Sequence, residues 1–217
     1  MAKRAQAESA DIFREPDGPE FRQERSRRSY LALLDAAAEL FAERGFDAVG
    51  TPEIAQKAGV SVGTFYRYFD DKHEAYLEIM RRRMVTAYNE TIERLTPEHF
   101  IGRARHETIA MACSLLFDHV LSRPQLTRSF LEMSLRDPQV AELRRSFENL
   151  TCQRLAALIE AITPRTDVPD PEAYAYVLYG AAMQCAYGLA VHLVASSIDR
   201  DRARAALTAF IERALFR

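Results

Sequence analysis

Between Thr51 and Lys72 the chain reads TPEIAQKAGVSVGTFYRYFDDK, two short helix signals on either side of a Gly-Val-Ser turn. Few folds accommodate that pattern. Thr51 suits an N-cap and Pro52 the first helical position, where a missing N–H costs nothing. Ile54, Ala55 and Ala58 form an apolar stripe, and Gly59 is the residue type that best adopts the left-handed conformation ending a helix. Val60 fits the corner, Ser61 caps a second helix, and Phe65 and Phe69 fall four apart on its inward face. The opposite face carries Val62, Gly63, Thr64, Arg67 and Tyr68, with Tyr66 at the flank, a mixture suited to base edges and phosphates. Asp71 and Glu74 then spell a capping box that opens another helix, with Lys72 at its positive end, where a phosphate is favoured. The reading is a helix-turn-helix, with double-stranded DNA as its first partner.

Upstream, Tyr30, Leu34, Ala37 and Phe41 recur at helical spacing from about Ser29 to Arg44, and Gly45 ends the run. With that support helix in place, the stretch LLDAAAELFAERGFDAVGTPEIAQKAGVSVGTFYRYFDDKHEAYLEIM resembles the N-terminal DNA-binding domain of TetR-type transcriptional repressors, over roughly Arg28 to Met80. The resemblance implies an all-α homodimer with one recognition helix per subunit. It also implies a larger C-terminal domain in which a small effector loosens the grip on a palindromic operator. Residue by residue, it assigns DNA contacts to Thr51, Ser61, Val62, Gly63, Thr64, Tyr66, Tyr68 and Lys72. Pro52 stands where the family's founding member has a base-reading arginine, which removes that readout from the first helix, and Val62 and Gly63 offer little direct hydrogen bonding, so thymine-methyl contact, close backbone approach or DNA shape is expected to carry some specificity.

A near-balanced charge, 29 basic against 31 acidic residues and a net −2, is not that of a bulk electrostatic DNA binder, so charge placement matters more than its sum. Arg22, Arg25, Arg27 and Arg28 cluster ahead of the support helix, either a groove-following arm or a solvated tail. Residues 1–25 show no sustained apolar period and are expected to be a disordered arm, with no secretory signal. Cys113, Cys152 and Cys185 are scattered and odd in number, which fits a reducing cytoplasm and buried, inert thiols. His73, His99, His106, His119 and His192 have no metal-ligand spacing, so neither metal nor cofactor is expected.

Helical patterns run from Lys72 to about Leu95, Arg103 to Ser122, Gln125 to Arg136, Gln139 to Ile162, Glu172 to Ala195 and Arg200 to Phe216. Between them lie Pro97, Gly102, Pro124, Pro138 and the loop with Pro164, Pro169 and Pro171. No strand alternation or repeat appears. The architecture expected is all-α: residues 26–72 a three-helix helix-turn-helix domain, residues 73–217 a helical ligand-binding and dimerisation domain.

Glu172 to Ala195 carries one formal charge and is long enough to span a bilayer. Its Ala, Tyr and Gly content, Gln184, His192 and scattered aromatics argue instead for a buried subunit interface, with Leu189 within it. On the last helix Ala203, Leu207, Phe210, Ile211 and Leu215 share a stripe that can complete a four-helix interface. The resemblance places the effector pocket among the middle helices, where the chain offers Met84, Tyr88, Met111, Leu115, Phe117, Phe130, Met133, Phe147, Tyr179 and Met183. Each fits ordinary core packing as well; together they favour a small apolar or aromatic effector, with Arg103 and Arg105 or Arg144 and Arg145 available to an anionic head. There is no Gly-rich phosphate loop, no G-x-S-x-G and no His-Glu-x-x-His, so an enzyme is not expected. The alternative function is a DNA-binding regulator whose C-terminal domain only dimerises or meets a protein partner.

Overall fold

Gly45 and Gly59, both at positive φ (77° and 69°), end two helices where the sequence placed glycine, and the first domain is built around these breaks. The computed structural model describes residues 24–102, 104–191 and 198–216. Among them the chain is all-α, with nine α-helices and no strand. They are α1 (Glu24–Arg44), α2 (Thr51–Lys57), α3 (Val62–Phe65), α4 (Lys72–Thr91), α5 (Ala104–Leu121), α6 (Pro124–Arg136), α7 (Pro138–Ile162), α8 (Pro171–Ala190) and α9 (Arg200–Leu215). A 3-10 turn, Pro97–Phe100, precedes α5.

Two compact units emerge: residues 24–85 with 128–146, and residues 86–127 with 147–216. In the first, Leu33, Ala37 and Phe41 of α1 are buried with Ile54 and Ala55 of α2, Phe65 of α3, Phe69, and Ala75 and Tyr76 of α4. Burying several large apolar side chains, each worth about 1.5–3 kcal/mol, holds a helix as short as α3, which has too few internal hydrogen bonds to persist alone. In the second, α5 packs against both α8 and α9 around Ile109, Cys113, Phe117, Ala186 and Leu207. A neighbouring cluster joins Ala156 and Ile159 of α7, Ala175 and Leu178 of α8 and Leu215 of α9. Asp170 and Asp199 cap α8 and α9 by accepting from the amides of Ala173 and Arg202.

Several local expectations shift. Gly50, not Thr51, is the N-cap of α2, so Thr51 and Pro52 are its first two residues. The regular part of the recognition helix is only Val62–Phe65; Tyr66 to Tyr68 continue as a turn. α1 already includes Glu24 to Arg28, so Arg25, Arg27 and Arg28 lie on a helix, while Arg22 and the arm before Glu24 fall outside the described residues. α4 ends at Thr91 because the amides of Ile92 and Glu93 both turn back to the carbonyl of Tyr88. Leu189 packs into the subunit's own Phe117 cluster, and Cys185 is exposed rather than buried. Arg103 and His192 lie outside the described residues. No helix among the described residues is long and apolar enough to cross a membrane.

Candidate DNA-binding interface

The shift of the α2 cap to Gly50 leaves the Thr51 hydroxyl free of capping, and it meets the Tyr66 hydroxyl at 3.0 Å. That contact joins the start of α2 to the end of α3 on the exposed side of the corner. Ser61 caps α3 from both directions: its Oγ accepts from the Thr64 amide at 3.1 Å and lies 2.9 Å from Thr64 Oγ1. Phe65 and Phe69 face inward, their rings 5.5 Å apart, and Phe69 stacks on Tyr30 of α1. The turn therefore offers Val62 (38% exposed), Gly63 and Tyr66 (53% exposed) outward, together with the Thr64 side of the helix. Apolar, backbone and hydroxyl chemistry are all on that surface, as base edges and phosphates require. A Cβ built on Gly63 would meet only Ser61 Oγ, at 3.8 Å, so the fold itself leaves room for a side chain there.

Thr51, Ser61, Val62, Gly63, Thr64 and Tyr66 are thus brought together. The other two expected contacts are occupied within the protein. Tyr68 donates its hydroxyl to the carbonyl of Ser26 on α1 at 3.1 Å and packs edge-on against Tyr30. Lys72 reaches back over the Phe46 ring, and its ammonium donates to the carbonyls of Phe46 (2.9 Å), Asp47 (3.2 Å) and Val49 (2.8 Å). Three N–H groups meet three carbonyls, the full donor capacity of a lysine. Arg44 completes the set by donating to the Ala48 carbonyl at 2.5 Å and to Glu53, whose carboxylate also accepts from the Gly50 amide. Hydrogen bonds from Arg44 and then from the Gly50 amide hold the Glu53 carboxyl below its usual range. All four carbonyls from Phe46 to Val49 therefore accept from cationic side chains, and this loop sets the angle at which α2 begins.

Helical period places Arg67 on the outward face, but the contacts implied by the family resemblance leave it out. Its guanidinium lies over the Tyr68 ring and donates to the Tyr68 hydroxyl at 2.7 Å, which places an exposed cation beside the recognition turn. Below the turn, Tyr30 Oη donates to Glu78 Oε1 at 2.9 Å, and Glu78 also pairs with Arg81 and Arg82; burial, then the Glu78 charge, raises the Tyr30 pKa above its ordinary value. This network fixes α1 against α4.

The expected ligand residues do not form one group. Tyr88 is buried with its ring edge-on to Phe147, and burial, reinforced by a hydrogen bond to Glu93, pushes its phenol up to about 12. Phe117 is fully buried in the cluster against which Met183 packs. Phe130 and Met133 are buried in the unit that carries the helix-turn-helix, while Met111 is 53% exposed on α5. Tyr179 lies half-buried on α8. Three histidines each meet one carboxylate at 2.8 Å: His73 with Asp137, His106 with Glu212 and His119 with Glu90. Among the described residues no three His, Cys, Asp or Glu side chains gather as a metal set.

Residues 33–79, which span α1 to α4, match the family model described as bacterial regulatory proteins, tetR family. The chain is similar to the fatty acid metabolism regulator protein of Bacillus subtilis, 30% identical over 49% of this chain and 57% of that protein. It is similar to the HTH-type transcriptional activator FasR of Mycolicibacterium smegmatis, 32% identical over 50% of this chain and 48% of that protein. The match thus spans about half the length of each of these curated relatives. Among solved structures, the fatty acid degradation regulator FadR from Bacillus halodurans shares the fold with a TM-score of 0.62, at 19% identity over 86% of this chain and 94% of that one. The segment that builds the corner and its supports is thus the part of the chain that matches the tetR family of bacterial regulatory proteins.

Proposed function

We propose that this chain is a homodimeric transcriptional regulator that binds a palindromic DNA operator through α2 and α3 and releases it when a small apolar or aromatic effector binds the C-terminal domain. The observation that carries this reading is the recognition turn, where Val62, Gly63, Thr64 and Tyr66 share one exposed surface and the Thr51–Tyr66 contact orients the tyrosine. Residues 26–72 serve as the DNA-binding domain and residues 73–217 as the ligand-binding and dimerisation domain, with the protein working in the cytoplasm.

Support for the dimer comes from α8 and α9. Buried residues lie on one face of α8, while Tyr176 (73% exposed), Val177, Gly180 and Gln184 lie open; on α9, Phe210 of the apolar stripe is 48% exposed. A second copy of the same surface would cover this apolar area, as an isologous interface does. Two recognition turns then read half-sites about 34–36 Å apart. α4 is one helix from Lys72 to Thr91, so an effector that favours a different α4 position changes that spacing and shifts the population away from the DNA-competent state.

The Tyr88–Phe147 pair and the Phe117–Met183 cluster offer apolar and aromatic surroundings to such an effector. Two relatives named for fatty acid metabolism or degradation favour a fatty acyl chain within that class. The test is selection of genomic fragments by the purified full-length protein, footprinting of the winners at stated salt, and titration of the complex with free fatty acids and acyl-CoA thioesters. A protected palindrome released by one of these ligands supports the reading; absence of any enriched site from ligand-stripped protein refutes it.

A further inference from the structure

The compact unit that carries the helix-turn-helix also contains residues 128–146, the end of α6 and the start of α7, and the DNA-reading surface uses none of them. Three contacts tie this α6–α7 corner to the domain. Tyr76 Oη on α4 lies 3.3 Å from Ser129 Oγ, both buried. His73 Nε2, one turn earlier on α4, lies 2.8 Å from Asp137 Oδ2, while Asp137 Oδ1 accepts from the amides of Gln139 and Val140 and so caps α7. Arg136 reaches the carboxylate of Asp47 at 2.7 Å. The side chains so engaged belong to the aromatic cluster that seats the loop ahead of α2. The Phe46 ring packs edge-on against His73 and Tyr76, and Tyr76 edge-on against Phe41.

We propose that Arg136 and Asp137 are positioning residues for DNA binding: the α6–α7 corner fixes the loop before α2 through Asp47 and the start of α4 through His73, and so sets operator affinity without touching DNA. The inference rests on the DNA-binding reading above. Loop 46–49 ends at Gly50, the cap of α2, so a shift of Asp47 is a shift of the α2 N-terminus. α7 is a single helix from Pro138 to Ile162, so a displacement along it arrives at its own cap, Asp137. The two links differ in strength. The Arg136–Asp47 pair is more than half exposed, and such pairs are weak; the His73–Asp137 pair is about one-fifth exposed and holds more.

The experiment compares the full-length wild type with Asp137→Asn, Arg136→Asp and the exchanged pair Arg136→Asp with Asp47→Arg. Asparagine keeps the acceptor that caps α7, so Asp137→Asn removes the carboxylate charge that faces His73 and spares the helix. Two readouts are taken: affinity for a wild-type-selected DNA fragment across a salt series, and amide exchange at residues 46–50 in the DNA-free protein. Asp137→Asn is expected to weaken binding roughly three- to tenfold and Arg136→Asp about two- to fivefold, both with the wild-type salt slope and faster exchange at 46–50. The exchanged pair regains most of the Arg136→Asp loss. Affinities within about twofold of wild type and unchanged exchange would overturn the proposal. So would a salt slope lowered by about 0.9 per subunit for Arg136→Asp, the mark of a direct phosphate contact. Wild-type protein that selects no DNA removes the DNA-binding reading; the exchange data then decide by themselves whether the corner grips the loop, and unchanged exchange rejects it.

Discussion

Lys72→Met separates two roles for a lysine at the start of α4. Methionine keeps most of the side-chain length and deletes the ammonium, so the three N–H···O=C contacts are lost together with the cation's place over the Phe46 ring. Hydrogen bonds from charged donors contribute about 1.5–3 kcal/mol each when well shielded. Here the Phe46 and Val49 carbonyls are partly buried, whereas the Asp47 contact is exposed and water replaces it at little cost. The total loss is then roughly 2–3 kcal/mol, which for a chain of this length is a drop in unfolding midpoint of roughly 4–12 °C. DNA affinity should fall as well, because the loop that sets α2 loosens, but the slope of log K against log salt should stay at its wild-type value. A phosphate-bound Lys72 predicts the reverse pattern: an unmoved midpoint and a slope reduced by about 0.9 per subunit, or about 1.8 for a dimer. Thermal unfolding and a salt titration of the same variant separate the cases, and that reverse pattern would refute the loop-clamp assignment.

Gly63→Ala should leave the fold intact or stabilise it by up to about 0.5–1 kcal/mol, because a Cβ there meets only Ser61 Oγ at 3.8 Å; operator binding should nonetheless fall if DNA backbone approaches that point, and undiminished affinity would dismiss close approach. Val177→Glu, on the open face of α8, should shift sedimentation toward monomer without unfolding the chain, whereas Leu189→Glu should destabilise the subunit itself, since Leu189 packs on the Phe117 cluster; a Val177→Glu variant that stays dimeric would remove that face from the interface. For Asp137, burial raises the carboxyl, but the Val140 amide, the His73 charge and hydrogen bond and the Gln139 amide together lower it below its ordinary value. A depressed folded-state pKa means that its stabilisation is complete above the unfolded value near 4 and is lost as pH falls through the folded one. Asp137→Asn should therefore flatten the acid limb of the stability curve below about pH 5, and an unchanged limb in urea titrations would deny the carboxylate that role.

Backbone-level features were legible because they depend on residue types at short range. Gly45 and Gly59 mark helix ends that need positive φ, Ser61 and Asp71 supply caps to amides three residues on, and Phe65 and Phe69 share an inward face by the helical period alone. The destinations of long polar side chains were not legible by the same means. A period says which face a residue occupies, not what its tip meets, and Lys72 finds its partners on a loop 23–26 residues away in sequence. Tyr68 likewise turns to Ser26 across 42 residues, so a residue on the outward side of the turn has its hydroxyl directed at α1. Amphipathic reading also cannot separate burial within one subunit from burial against a second: Leu189 is partly buried against the chain's own Phe117 cluster, while Phe210 lies open.

The division of labour that follows bears on specificity. With Pro52 in the first helix, Val62 and Gly63 at the recognition turn and the Lys72 ammonium committed to its loop, few charged or bidentate donors remain to read bases directly. On the proposed DNA-binding reading, discrimination depends on how accurately apolar, hydroxyl and backbone groups are presented to the groove, which makes the supports of α2 as consequential for operator choice as the residues that face it. The cation-filled carbonyls of residues 46–49, the Thr51–Tyr66 contact and the α6–α7 corner are the supports in question. Loosening any one of them should therefore blur preference among related sites as well as lower affinity, whereas loss of a single phosphate contact would weaken all sites alike. Binding of Lys72→Met to a ladder of single-base operator variants separates these outcomes: a compressed spread of affinities supports positional readout, and a spread as wide as that of the wild type rejects it.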